Sequence, residues 1–357
     1  MATARRGSTE PHAVLGLRLH EWGGTLRWEE MPIPQPAGGE VLVRVRACGV
    51  GLTVLNCMRG DLGNRPDELP RVPGHELVGT ISEVGEGVPG DRLGQQVIAY
   101  FYLCCGKCGH CRASDESMCE RLAGNLGVHR DGGYAPWAAI PTLNALPLPA
   151  GVDPVLATTI PDAIATPVHV ARRAAIHVGD RVAVVGAGGG VGVHMVQVAR
   201  VRGADVVGLE VDATKLRFLS DDLRIAVSDS SDFDAVVLPD HWASGGPDVV
   251  VDLLGTEASL AWALRTLAPG GRLVTLTTFR GVSIPLSPRE LVFREISIIG
   301  SRYASRDELR IAAAMVADGR VRPVVGRQVG ASDIDSLHDD LRTGRLLGRG
   351  ALVWDPA

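Results

Sequence analysis

The apolar positions of the chain change period part-way along it. Up to about residue 160 they alternate or fall in short runs. Val41-Leu-Val-Arg-Val-Arg-Ala47 repeats every second residue, the period of a strand with one buried face. Similar short runs occupy Leu77–Val84, Gln96–Tyr102 and Tyr134–Ile140, with Gly- and Pro-rich turns between them. This part is predicted to be β-rich, and Pro147, Pro149 and Gly151 mark a connection. Beyond about residue 163 buried strands alternate with helical patterns. Strands are predicted at Arg181–Val185, Asp205–Leu209, Asp248–Leu253, Arg272–Thr277 and Ile296–Gly300, and helices at His194–Arg202, Ala213–Leu219 and Ala258–Leu267. Such alternation implies a parallel sheet with helices on both faces. A helix near Arg306–Asp318 and a strand Gly350–Trp354 are too little for a third domain, so they are expected to return to the first. The expected domains are 1–162 with 299–357, and 163–298.

Length and charge narrow the function classes. A chain of 357 residues suits two domains, and 45% hydrophobic with 22% charged residues is ordinary for a globular protein. A net charge of −5 with no basic tract points away from nucleic acid and anionic lipid. The most apolar stretch, about 182–199, is broken by glycines and a His, which argues against a membrane span. The polar segment Met1–His12, with Arg5, Arg6 and Pro11, reads as a disordered leader, with a targeting remnant as the alternative. A cytoplasmic protein is the expectation.

Four cysteines stand in the pattern C-x2-C-x2-C-x7-C, at Cys105, Cys108, Cys111 and Cys119. Four closely spaced thiolates can close a tetrahedral shell around one Zn²⁺, leaving no open position, so such a zinc holds a loop and does no chemistry. A disulfide cluster or redox pair is the alternative, disfavoured in a large protein without a secretory signal. Cys104 competes with Cys105, and the regular spacing favours Cys105. Cys48 and Cys57 stand apart from the cluster.

Gly186, Gly189 and Gly192 follow a predicted strand and precede a predicted helix, with Gly188, Gly190 and Val191 between them. Glycine there lets the backbone turn tightly and approach a pyrophosphate at the helix N-terminus. Glu210 ends the next strand. A carboxylate at that position can accept hydrogen bonds from an adenosine ribose and repel a 2′-phosphate, which selects NAD(H). Asp212 is the alternative carboxylate, and a solvated helix start is the alternative role for Glu210.

These motifs and several others resemble the zinc-containing, medium-chain alcohol dehydrogenases over nearly the whole chain. The matching stretches are Ala47-Cys-Gly-Val50, Pro73-Gly-His-Glu-Leu-Val-Gly79, Gly90-Asp-Arg92, the four-cysteine lobe, Gly132-Gly-Tyr-Ala135, Gly179-Asp-Arg-Val182, the glycine turn, Pro269-Gly-Gly271 and Gly348-Arg349. The resemblance implies a GroES-like β-rich catalytic domain, a Rossmann NAD-binding domain, an active site in the cleft between them, and homodimers or homotetramers. Lys215 and Arg349 join the glycine turn and Glu210 as implied cofactor-binding residues.

The pattern departs from the family at the catalytic metal. The family's usual start is Cys-Gly-Val-Cys-His-Thr-Asp, whereas this chain reads Cys48-Gly-Val-Gly51-Leu-Thr-Val54. Gly51 has no side chain to ligate, Leu52 replaces a His, and Val54 replaces the Asp that orients the ligand His, a kind of loss that weakens metal affinity about ten- to a hundredfold. His75, Glu76 and Asp162 remain, with Asp162 on the family's third-ligand position. A His with two carboxylates is a harder, weaker zinc site than one with thiolate. His75 and Asp162 could instead pair with each other in a metal-free site, and Cys48 or Cys57 could substitute as ligands. About one zinc per subunit is expected, with the catalytic metal weak or absent. Thr53 survives where the family relays the alcohol proton through a hydroxyl, a group that donates and accepts at once; a helix N-cap is its structural alternative. Leu55, Asn56, Met58, Phe101, Tyr102 and Trp137 fall where pocket walls would lie. The resemblance implies an NAD(H)-dependent alcohol/carbonyl oxidoreductase acting on a small molecule. Conjugate reduction of a C=C beside a carbonyl is the second reading, and a non-catalytic NAD(H)-binding relative the third.

Overall fold

Strands dominate the first part of the chain, as its alternating pattern predicts. In the computed structural model, which describes residues 13–63, 65–277, 281–284 and 286–354, these are β1 (Ala13–Leu19), β2 (Leu26–Pro32), β3 (Glu40–Val50), β4 (Glu76–Val84), β5 (Gln96–Ala99), β6 (Trp137–Pro141) and β7 (Ala145–Pro147). The leader Met1–His12 lies outside the described residues. Then follow β8 (Arg181–Val185), β9 (Asp205–Glu210), β10 (Ala226–Asp229), β11 (Val249–Asp252), β12 (Arg272–Thr275) and β13 (Ser297–Gly300), and finally β14 (Val325–Val329) and β15 (Arg349–Val353).

The chain divides into two compact units. One comprises Met1–Asp162, Ser305–Ala317 and Val325–Ala357; the other comprises Ala163–Ala304 and Asp318–Val324. In the first, the sheet runs β14-β15-β3-β4-β5-β7, with β6 also on β3 and β1-β2 as a separate antiparallel hairpin. Val41, Val43 and Val45 point one way into the core with Leu77, Ile81, Val97 and Leu352. Leu42 points the other way, into a small cluster with Ile33 and Trp137. Trp137 is therefore core, not pocket wall.

The second unit is a six-stranded parallel sheet in the order β10-β9-β8-β11-β12-β13. β8 and β11 are buried almost throughout, as strands covered on both faces must be. The fold is thus mixed α/β, a GroES-like β-rich domain and a Rossmann-type domain. Observed helices run Gly192–Val201, Ala213–Arg217, Glu257–Thr266 and Arg306–Ala317, each within two residues of its predicted bounds. Phe218–Asp222 continues the second of these as a wide π-type turn.

Helix Ile334–Arg342 carries one buried His. His338 sits at Nε2 3.0 Å from the Tyr134 hydroxyl, and its Nδ1 has no hydrogen-bond partner among the described residues. Burial pulls the imidazole down to about 4. The folded state keeps His338 neutral where the unfolded chain, near 6.5, accepts a proton. Its stabilising contribution is therefore complete above about pH 6.5 and lost as pH falls toward 4, at up to about 1.4 kcal/mol per pH unit. We predict that His338→Leu, compared with wild type in urea melts between pH 4 and 7, gives a shallower fall in midpoint. An unchanged pH slope would refute the assignment.

Candidate functional site

Two glycines at the end of β3 make a notch. β3 pairs with β4 so that Gly49 faces Glu76, and with β15 so that Val50 faces Gly350. Gly49 and Gly51 therefore project to the same side, two residues apart on extended backbone. A Cβ on Gly49 would collide with the Glu76 carboxylate, and one on Gly51 with the Arg349 guanidinium. The notch lets these two side chains meet across three strands. Arg349 Nε donates to Glu76 Oε2 at 3.1 Å and Nη2 to Oε1 at 2.6 Å, a forked pair in which both partners are buried.

Asp162 completes the cluster from a wide π-type turn, Ile160–Ile164, and accepts a second hydrogen bond from Arg349 Nη2. His75, on the residue before β4, brings Nε2 to 3.5 Å from Glu76 Oε1 and 3.7 Å from Asp162 Oδ2, with its ring against Phe101 at 4.6 Å between centroids. The expected direct pairing of His75 with Asp162 is thus loose, and Arg349 is the partner that binds the aspartate closely. Burial pushes the Glu76 carboxyl above its usual range, with Arg349 pulling the other way. Burial also opposes the Arg349 charge, but Glu76 and Asp162 outweigh it and raise the guanidinium further.

His75, Glu76 and Asp162 present donor atoms within 4.8 Å of one another, the spacing a metal ion needs. The residues present nevertheless do not fit a resident catalytic zinc. Gly51 supplies no thiolate, and both carboxylates are engaged by Arg349. Neither spare cysteine compensates. Cys48 is buried in β3, and the Cys57 thiol donates to the Gly127 carbonyl at 3.2 Å. Thr53 lies half-buried in the first turn of helix Leu52–Met58, whose cap is Gly51, so Thr53 is not the N-cap.

The four-cysteine lobe fits a structural zinc. Cys105 and Cys111 lie 3.9 Å apart at sulfur, as do Cys108 and Cys119, and all four sulfurs fall within 4.8 Å of each other. A tetrahedron with Zn–S near 2.3 Å has sulfurs about 3.8 Å apart, whereas a disulfide needs about 2.05 Å. Backbone N–H groups of Cys105 and Cys111 donate to Cys119 and Cys108 sulfurs. The Lys107 N–H helps hold the Cys105 thiol down to about 6, while burial pushes the Cys111 thiol up. Cys104 stays outside the set. Glu116, buried within the lobe, ties it to Arg306 at 2.8 Å.

In the parallel unit, Gly186 adopts φ +79° and a Cβ on Gly192 would strike the Gly186 carbonyl, so both glycines are required by the turn. The Glu210 carboxylate folds beneath it, accepting from Gly188 N–H at 2.9 Å and Val211 N–H at 2.9 Å. Lys215 is buried against the same turn. Asp212 instead caps helix Ala213–Arg217 through the Thr214 and Lys215 N–H groups. His194 escaped the sequence reading. Its Nε2 accepts the Val324 N–H at 3.0 Å, so Nδ1 carries the proton and donates to the Gly190 carbonyl at 2.7 Å. A lone His after a glycine run was the only available signal.

Comparisons with known proteins follow the same outline. The model of the alcohol dehydrogenase GroES-like domain matches residues 37–150, and that of the zinc-binding dehydrogenase domain matches residues 190–318. An alcohol dehydrogenase of Geobacillus stearothermophilus is 32% identical, the alignment covering 92% of this chain and 96% of that one. An acryloyl-coenzyme A reductase of Metallosphaera sedula is 30% identical over 94% of this chain and 97% of its own. A solved NAD-dependent alcohol dehydrogenase superposes with a TM-score of 0.86 at 28% identity, covering 96% of this chain and 100% of that one.

The lobe yields a direct prediction. Cys108→Ser should lose the structural zinc and lower the thermal midpoint, because such a metal contributes folding free energy. Elemental analysis with thermal melts checks it; a variant that keeps wild-type zinc and midpoint would overturn the ligand set.

Proposed function

The chain belongs to the zinc-type medium-chain alcohol dehydrogenase family, and from that premise we propose that it is an NAD(H)-dependent oxidoreductase interconverting a small alcohol and its aldehyde or ketone. The observation that carries the reading is the intact glycine turn with Glu210 locked beneath it. Gly186, Gly188, Gly189, Gly190, Val191 and Gly192 would cradle the pyrophosphate, while Glu210 and Lys215 meet the adenosine ribose. The bound cofactor supplies or accepts the hydride. Cys105, Cys108, Cys111 and Cys119 would hold a zinc that shapes the lobe and would take no part in the chemistry.

Polarisation of the substrate oxygen falls to the chain's own groups. His75, Glu76, Asp162 and Arg349 form the polar end of the substrate site. The Thr53 hydroxyl relays the alcohol proton to solvent, since it can accept and donate in one step. Preorganised donors in a buried site stabilise developing oxygen charge without reorganisation.

A second reading has its own support. Hydride addition to the β-carbon of an unsaturated carbonyl needs less Lewis acidity at oxygen, and the cluster lacks the family's thiolate donor at Gly51. The acryloyl-coenzyme A reductase relative fits that reading.

The same reading makes the protein a cytoplasmic homodimer or homotetramer. Among the described residues no helix is long and apolar enough to cross a membrane. β13 is an outer strand, and the preceding helix Pro288–Arg294 exposes Val292 and Phe293 at 71% and 72%.

The 2′-phosphate of NADPH would meet Glu210, at a cost of roughly 1–3 kcal/mol, so kcat/KM should favour NADH by about ten- to a hundredfold. Equal efficiencies would refute the role. Screening NADH oxidation against saturated aldehydes, ketones and enones, with product identification, separates the two chemistries. Exclusive C=C reduction would replace the first reading by the second, and no turnover of any carbonyl would remove both.

A further inference from the structure

The donor set at His75, Glu76 and Asp162 already holds a cation, and that cation is a side chain. Arg349 reaches the set from β15 and closes hydrogen bonds on both Glu76 oxygens and on Asp162. Its guanidinium lies in the volume that a side chain at Gly51 would fill. Gly51 stands where the family pattern has a ligand cysteine, so the position that loses the metal donor is also the position that admits the guanidinium. A thiolate at 51 and Arg349 in this pose are mutually exclusive.

We propose that Arg349 permanently occupies the place of the catalytic metal, as a fixed monovalent cation that excludes a divalent one and presents Nη1 to an oxygen acceptor. Three observations converge on it. The guanidinium satisfies the carboxylates that a metal would need. Its positive charge repels a second cation at ligand distance. Nη1, the nitrogen nearest the Gly51 Cα side, has no acceptor among the described residues, while Nε and Nη2 are both engaged. A guanidinium stays charged and cannot lend its proton, so it can bind and polarise an oxygen but not act as the acid. The acceptor is a substrate carbonyl oxygen.

Metal counting tests the first half without reference to activity. Wild type, dialysed against zinc and then a mild chelator, should retain one zinc per chain. Arg349→Met should retain two, or show added d–d absorbance on titration with Co²⁺, because Glu76 and Asp162 are released as donors. Removing a buried cation could also unfold the chain, so Gly51→Cys provides an independent arm. Its side chain displaces the guanidinium and adds a thiolate, and the zinc count should again rise from one to two. Two zincs in wild type, or a count of one in every folded variant, would overturn the proposal. The Nη1 role rests on the oxidoreductase reading above and is tested with Arg349→Lys, which keeps the charge and loses the fork. A fall in kcat of about a hundredfold at saturating NADH assigns the acceptor to the substrate. An unchanged kcat overturns the donor role. If wild type turns over no carbonyl or enone, the function reading fails while the zinc counts still decide the cation.

Discussion

The buried contact between Arg349 and Glu76 constrains everything around it. The two residues are 273 positions apart, yet they meet because β15, β3 and β4 lie side by side in fixed register. Taking two charges out of water is expensive, and the cost is recovered only when the geometry is good and the remaining hydrogen-bonding capacity is used. Here the fork is bidentate and Asp162 takes a further hydrogen bond. The pair therefore says less about net stability than about uniqueness. Removing one member would strand the other at roughly 3–5 kcal/mol, and shifting β15 by one residue would turn Arg349 to the opposite face of the sheet. The C-terminal strand is held in the first unit by this requirement as well as by its apolar neighbours.

The electrostatic character of the cluster follows. Two carboxylates face one guanidinium, with His75 beside them. A divalent metal with a free coordination position acts as a Lewis acid on a bound oxygen. A guanidinium spreads a single charge over a planar fork and acts only through hydrogen bonds. Oxygen charge that develops at such a group is stabilised by directed N–H donors. Chemistry that places less negative charge on oxygen in its transition state is correspondingly less penalised by the exchange, which is why conjugate reduction stays beside carbonyl reduction as a reading of this site.

Local signals were legible in the sequence and non-local ones were not. Four cysteines within one short segment announce their ligand geometry by spacing alone, and the four sulfurs do gather. The glycine turn and Glu210 sit on consecutive strand–helix units, so pattern and structure agree there. The hairpin of β1 and β2 was missed because Leu15 and Trp28 are exposed, which blurs the alternation. Helix Ile334–Arg342 was missed although Ile334 and Leu337 lie on one buried side, since Leu341 is its only other apolar residue. Arg349 was legible as a cofactor candidate only. That it enters the donor set depends on strand register across the whole chain and on the absence of a side chain at Gly51, neither of which any window of sequence displays.

The two metal positions differ in what holds them together without metal. The lobe's ligands lie between Cys105 and Cys119, a stretch with short helical turns and little buried apolar surface of its own, so a zinc there would add cohesion beyond the Glu116–Arg306 ion pair. The cluster of His75, Glu76 and Asp162 is assembled from the start of β4, with His75 just before it, and from the turn Ile160–Ile164. With Leu77 and Ile81 of β4 in the apolar core and Ile160 and Ile164 of the turn buried, its geometry does not need an ion to exist. A positive charge there lets both carboxylates stay ionised, whereas without one their mutual repulsion would raise the pKa of one of them. Arg349 supplies that charge from within the chain. Glycine at position 51 is the residue that lets the internal cation in. Loss of the family's cysteine and burial of the arginine are in this sense one structural change, seen from opposite sides of the same notch.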